Sequence, residues 1–353
     1  LRSTGVEKCA LLALIVVVAA SEARAEEDVE DSEGDAQQVI VKPLTAKDFF
    51  ETAKQLAAQK KWSECFTSLK GNLAKGALLP GYLNLVGRCA AAGGLRVEAL
   101  QFLNVAAATA HSRVEAKLVE TIQILSTTFM TAENSQAYQD GLGELEGSSF
   151  TEAETRLAPL IASEDGNVEV MLRLGQTWVL SGKTEEARAV FAKAKALNPR
   201  EAEILLWHGR ALFLRGKHQA ALDEFRKARR LIPESELASM WLSEALVALG
   251  IRAQAFQVLE QDLKYYPGHL QVLTLLARFR LLFHERDAEM LLSARKEVQL
   301  GLSRLDLYRS AAHPRTEGEY GLQLATTEEI RAQLKAMMER IESKQAELKL
   351  RSD

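Results

Sequence analysis

"WHGRALFLRGKHQAALDEFRKARRLIP" (Trp207–Pro233) is the stretch on which the reading of this chain turns. It holds two histidines, a Gly-Lys pair and a dense basic run, any of which would suit a chemical site. The chain says it again, however. Thirty-four residues earlier stands "RLGQTWVLSGKTEEARAVFAKAKALNP" (Arg173–Pro199), and thirty-four later "WLSEALVALGIRAQAFQVLEQDLKYYP" (Trp241–Pro267). Gly182, Gly216 and Gly250 coincide, as do Ala187, Ala221 and Ala255, and then Pro199, Pro233 and Pro267. A stretch that recurs in register is a structural unit, and its polar residues are read first as parts of that unit.

Inside a unit the apolar spacing is helical. Met171, Leu174, Gly175 and Trp178 form one stripe, and Ala187, Phe191 and Ala194 another. Gly182 suits the left-handed C-cap that ends the first helix. The closing proline stops the second helix and starts the next unit. Small residues at Gly175, Gly209, Ala187 and Ala221 let the paired helices approach closely. Such a pair leaves an apolar face that only a stacked neighbour can cover.

The pattern resembles the tetratricopeptide repeat, a 34-residue helix-turn-helix family. Met171, Leu174, Gly175, Trp178, Ala187, Phe191, Ala194 and Pro199 fit its motif, as do Leu205, His208, Gly209, Leu212, Ala221, Phe225, Ala228 and Pro233. The third unit departs, with Ser243 at the glycine position and Asp262 at the second alanine, yet keeps Ala255 and Pro267. Weaker units flank these, and the resemblance covers roughly 46–302. It implies an all-α, right-handed α-solenoid of helix pairs, closed by a C-terminal helix. The organisation expected is a signal peptide over 1–25, an acidic linker over 26–44 and N-terminal pairs over 45–111. A connecting helix over 112–133 follows, then the main array over 134–303, a linker over 304–325 and a C-terminal helix over 326–353. Pro159 is expected to kink the second helix of its unit.

Both ends carry their own signals. Arg2 and Lys8 precede the apolar run Ala10–Ala20, and Ala23 and Ala25 form an A-x-A site. These are the three parts of a secretory signal peptide, with cleavage expected after Ala25 and a destination in the periplasm or cell envelope. "EEDVEDSEGDAQQ" (Glu26–Gln38) is too polar to build a core and reads as a solubilising linker. At the other end Ile330, Leu334, Met337, Ile341 and Leu348 mark an apolar seam interrupted by Lys344. That seam either caps the solenoid or joins copies of the chain, and the second possibility makes a self-assembling structural subunit the alternative function.

Chemistry is poorly represented. A net charge of −4 gives no overall field for nucleic acid, and Asp223 and Glu224 accompany the basic run Arg226–Arg230. "SGKT" (Ser181–Thr184) ends like a phosphate-binding loop, but Thr177 stands where that motif needs glycine. His208 replaces the repeat's usual leucine and should point into the helix-pair interface; the other histidines fall in turns and loops. Hydrolase and zinc signatures are missing from the sequence, and no metal, cofactor or catalytic residue is expected. Cys65 and Cys89 fall on helices expected to be neighbours, so a disulfide and a buried thiol both suit them.

The function expected is partner-protein binding. By register with the family, ligand-facing places fall on Leu172, Gln176 and Val179, then Leu206, Arg210 and Phe213, then Met240, Glu244 and Val247. Trp207 and Trp241, one period apart, add aromatic anchors of the kind enriched at interfaces. The Lys and Asn set with which some family members clamp a terminal carboxylate is missing here. An extended peptide or amphipathic helix with apolar anchors suits this trough, which points to an exported adaptor rather than an enzyme.

Overall fold

The computed structural model describes residues 46–73, 80–310 and 327–352. The expected signal peptide and acidic linker lie outside the described residues, as does most of the linker expected before the C-terminal helix. All regular structure among the described residues is α-helical. It divides into two compact units, one running to Thr128 with residues 165–168, the other comprising Phe129–Glu164 and the chain from Glu169 onward.

The first unit contains α1 (Ala46–Ala58), α2 (Trp62–Lys70), α3 (Pro80–Ala92), α4 (Arg96–Thr109) and α5 (Ser112–Thr127). Its core is built from small residues and a few large ones: Ala53, Leu69, Val86, Ala90 and Ala99 are wholly buried beside Phe66 and Tyr82. Tyr82 donates its hydroxyl hydrogen to the Leu69 carbonyl at 2.8 Å. Cys65 on α2 and Cys89 on α3 form a disulfide in the middle of this core. Closing a loop across a separation of 24 residues stabilises by about 3 kcal/mol, chiefly by restricting the unfolded chain. The connecting helix is shorter than 112–133 and packs against α4. It stops at Thr127, because Thr131 already caps the next helix by accepting the Asn134 amide at 3.1 Å.

The second unit begins with α6 (Ala132–Glu146), α7 (Phe150–Leu157) and α8 (Leu160–Ser163). Pro159 separates the last two and adopts the φ of −61° that its ring requires. Then come the strict pairs: α9 (Val168–Leu180) with α10 (Thr184–Leu197), α11 (Ala202–Leu214) with α12 (His218–Leu231), and α13 (Glu236–Ala248) with α14 (Arg252–Tyr265). The aligned glycines 182, 216 and 250 have φ of +85°, +73° and +78°, a conformation open to glycine at little cost. In the first two pairs an aromatic ring seats directly on a glycine. A Cβ on Gly175 would lie 2.5 Å from the Phe191 ring, and one on Gly209 2.6 Å from that of Phe225.

The last pair is α15 (Leu270–Phe283) with α16 (Ala288–Ser310), and α17 (Thr327–Ser352) packs on both. The expected linker thus starts later than 304, because α16 continues past Leu305, which is buried against α17. Ile330, Leu334 and Ile341 of the C-terminal seam are buried with Ala277, Leu281, Leu291, Ala294 and Val298. Burial of each large seam residue stabilises by about 1.5–3 kcal/mol. The seam is therefore consumed inside the chain, as a cap. Met337 and Leu348 of the same seam are only partly buried.

Candidate partner-binding cleft

The first helices α9, α11 and α13, together with α15, line a cleft of about 380 Å³ in the second unit. Its lining repeats with the period of the sequence. Leu180 and Leu214 occupy one place; Met240 and Thr274 a second; Trp207, Trp241 and Leu275 a third; Arg210, Glu244 and Arg278 a fourth. Stacked repeats put the same position of each first helix side by side, so one register position becomes a row. Ile330 and Gln333 of α17 also line it.

The floor is aromatic. Trp207 and Trp241 meet edge to face with ring centroids 5.1 Å apart, a favoured arrangement. They are only 1% and 3% exposed. Arg210 lies over the rings of Phe213 and Trp241 at 5.4 and 5.5 Å. It donates from Nη1 to Glu244 at 2.9 Å, and Glu244 also receives Arg278 at 3.4 Å.

Behind this surface lies a buried polar network. Arg173 pairs with Glu203 at 2.7 Å and Glu169 at 2.9 Å. Burial works against the Arg173 charge, but the two carboxylates hold its pKa above the ordinary range. Gln176 donates to Glu203 at 2.7 Å, and the Tyr138 hydroxyl to Glu169 at 2.7 Å. His208 is buried between α11 and α12, where the repeat pattern placed it, 3.8 Å from Glu224. Burial opposes ionisation of Glu224, yet His208, Lys195 and Lys227 bring its pKa down to about 2.

The third pair holds a second network, around the residue that broke the motif. Asp262 is buried on α14, accepts the Ser239 hydroxyl at 2.5 Å and lies 2.6 Å from His269 Nδ1. Tyr266 stacks on His269 at 5.0 Å. Glu236, in the first turn of α13, accepts the backbone amides of Gln271 and Val272 at 2.6 and 3.2 Å and so caps α15. Burial raises its pKa, against the pull of His269 and these amides.

Of the residues expected to face a partner, Val179, Trp207, Arg210, Met240, Trp241 and Glu244 line the cleft. Leu172, Gln176 and Leu206 do not: they are at most 2% exposed and lie outside the lining. Gln176 turns inward because Glu203 on the next first helix needs its amide, and the two leucines are buried. Phe213 and Val247 are half-buried and outside the lining. Sequence reasoning missed Gln271, Thr274, Leu275 and Arg278, although three of them follow Met240, Trp241 and Glu244 by one period. "SGKT" is the turn between α9 and α10, and within the basic run Arg226 and Lys227 sit beside Asp223 and Glu224 at 4.0 and 3.5 Å. Among the described residues no three His, Cys, Asp or Glu side chains are grouped to hold a metal. No helix there is long and apolar enough to cross a membrane.

Residues 138–202 and 181–236 match the family model described as tetratricopeptide repeat (TPR). Solved structures that match part of this chain include the MamA protein, 22% identical, spanning 52% of this chain and 98% of its own, with a TM-score of 0.40. Another is TTC0263, a thermophilic TPR protein of Thermus thermophilus, 15% identical over 58% of this chain and 98% of its own, with a TM-score of 0.44. MamA of Desulfovibrio magneticus RS-1 is 16% identical over 52% of this chain and the whole of its own, at 0.41. No curated protein matches the chain.

Proposed function

We propose that this chain, whose residues 138–236 match the tetratricopeptide repeat model, is an exported, non-enzymatic adaptor that holds a segment of a partner protein in the cleft of its second unit. The observation that carries this reading is the cleft itself: about 380 Å³, apolar at its floor and bounded by charged residues already held in place. Arg210 is fixed by two rings and a carboxylate before any partner arrives. Little ordering remains to be done on binding, and apolar side chains of the partner exchange water for Leu180, Leu214 and Met240. Export draws support from the leader sequence and from the Cys65–Cys89 disulfide, since such bonds persist in oxidising compartments. The place of action in a cell envelope belongs to the same proposal.

The test is a photocrosslinker at Leu214, which lines the cleft and is 47% exposed, introduced in the producing cells. One discrete partner band is expected. It should disappear when Met240→Arg fills the cleft, and a probe at Tyr265, outside the cleft and 65% exposed, should not produce it. Identical bands from both probes would remove the cleft reading. Sequencing the mature N-terminus tests export separately, with Glu26 expected first.

A further inference from the structure

One wall of the cleft carries a ladder whose rungs are a repeat apart: Gln176, Arg210, Glu244 and Arg278, on α9, α11, α13 and α15. Gln176 is turned into the core, so three rungs are left. Glu244 is the carboxylate of two guanidiniums at once, Arg210 at 2.9 Å and Arg278 at 3.4 Å. The longer contact belongs to the more exposed arginine, whose side chain is 55% accessible. In alternating order the ladder ends on a cation. Beneath the floor Trp207 Nε1 is enclosed and meets no acceptor among the described residues. Two guanidiniums thus share a single carboxylate, amid apolar Val179, Met240, Leu275 and Ile330.

We propose that the cleft selects partner segments in which one internal acidic side chain is flanked by apolar residues. The inference rests on the cleft being the partner site. The acid takes the exposed face of Arg278 and completes the alternation, while its apolar neighbours settle on Met240, Leu214 and Leu180. A basic side chain in the same place would stand beside two guanidiniums and have to contend with both for Glu244. A partly enclosed site makes this difference larger than it would be in open water.

The experiment uses the full chain and short fluorescent peptides identical except for one central residue, Glu, Gln or Lys, set between leucines. Anisotropy should show the Glu peptide bound roughly tenfold more tightly than the Gln peptide, with Lys weakest, and the preference should shrink with salt. Arg278→Ala should reduce the Glu-over-Gln preference to about twofold or less, and Glu244→Gln should strengthen Glu-peptide binding. Equal affinities, or a preference for Lys, would overturn acid selection and leave the cleft reading standing. Failure of all three peptides to bind would sink both. A peptide of residues 26–41 binding more tightly than the Glu peptide would make the chain's own acidic leader the occupant and overturn selection of a foreign segment.

Discussion

The pairs α11–α12 and α13–α14 follow the same 34-residue pattern and solve its central problem in opposite ways. In the first, Gly209 lets the helices close until the Phe225 ring rests on bare backbone. In the second, Ser243 takes the glycine position, and the ring position one period on from Phe225 is Leu259, smaller and wholly buried. The Ser243 hydroxyl donates to the Ser239 carbonyl at 2.8 Å within its own helix. Where α12 has a buried Ala228, α14 has Asp262 with Ser239 and His269. The repeat therefore prescribes a volume and a spacing, not a set of residues: one pair meets them with packing, the other with buried hydrogen bonds.

Phe225→Ala should break the packing solution most severely, costing about 3–5 kcal/mol in urea unfolding followed by tryptophan fluorescence. A loss below about 1 kcal/mol would mean that the ring is not what joins the helices. Gly209→Ser should cost about 1–3 kcal/mol by forcing the Phe225 ring away. Combining it with Phe225→Leu transplants the third pair's solution, and the double variant should be more stable than the sum of the single losses. Strict additivity would refute the compensation. In the third pair Asp262→Ala restores the motif residue but removes the acceptor of the buried Ser239 hydroxyl, at about 1–3 kcal/mol. Adding Ser239→Ala should recover part of that loss.

The smallest contrast lies in acid and base titration. Glu224, in the packing pair, has its pKa lowered to about 2, so its contribution is complete above the unfolded carboxylate value and is lost as pH falls through that range. Glu236, in the polar pair, is raised by burial, so its contribution is complete at low pH and is lost as pH rises through the raised value. Glu224→Gln should flatten the acid limb of the stability curve, and Glu236→Gln the opposite limb. Parallel effects of the two variants would show that one of these environments has been misjudged.

The fold was legible because its evidence recurs. Gly182, Gly216 and Gly250 each say little alone, but in register with Ala187, Ala221 and Ala255 they admit one arrangement. The cleft was legible in part. Transferring register positions found Arg210 and Glu244 but stopped at Pro267, where the motif residues fade, and so missed Arg278. The same transfer placed Gln176 outward, because a single position cannot show that Glu203, on the next helix, is a buried carboxylate. The C-terminal seam could be read from its spacing, whereas its partner could not: Leu334 packs against Gly301, and that distance in sequence has no period.

Glu236 bears on the order in which the chain is made. It leaves the ribosome before Gln271 and Val272, the amides it caps 35 and 36 positions later. Until those amides arrive, burying its carboxylate leaves it without these donors, and α13 has reason to stay open to water. The last repeats therefore mature together, once α15 has emerged, and a nascent chain halted at Pro267 would present α13 unfinished, with the floor of the cleft still wet.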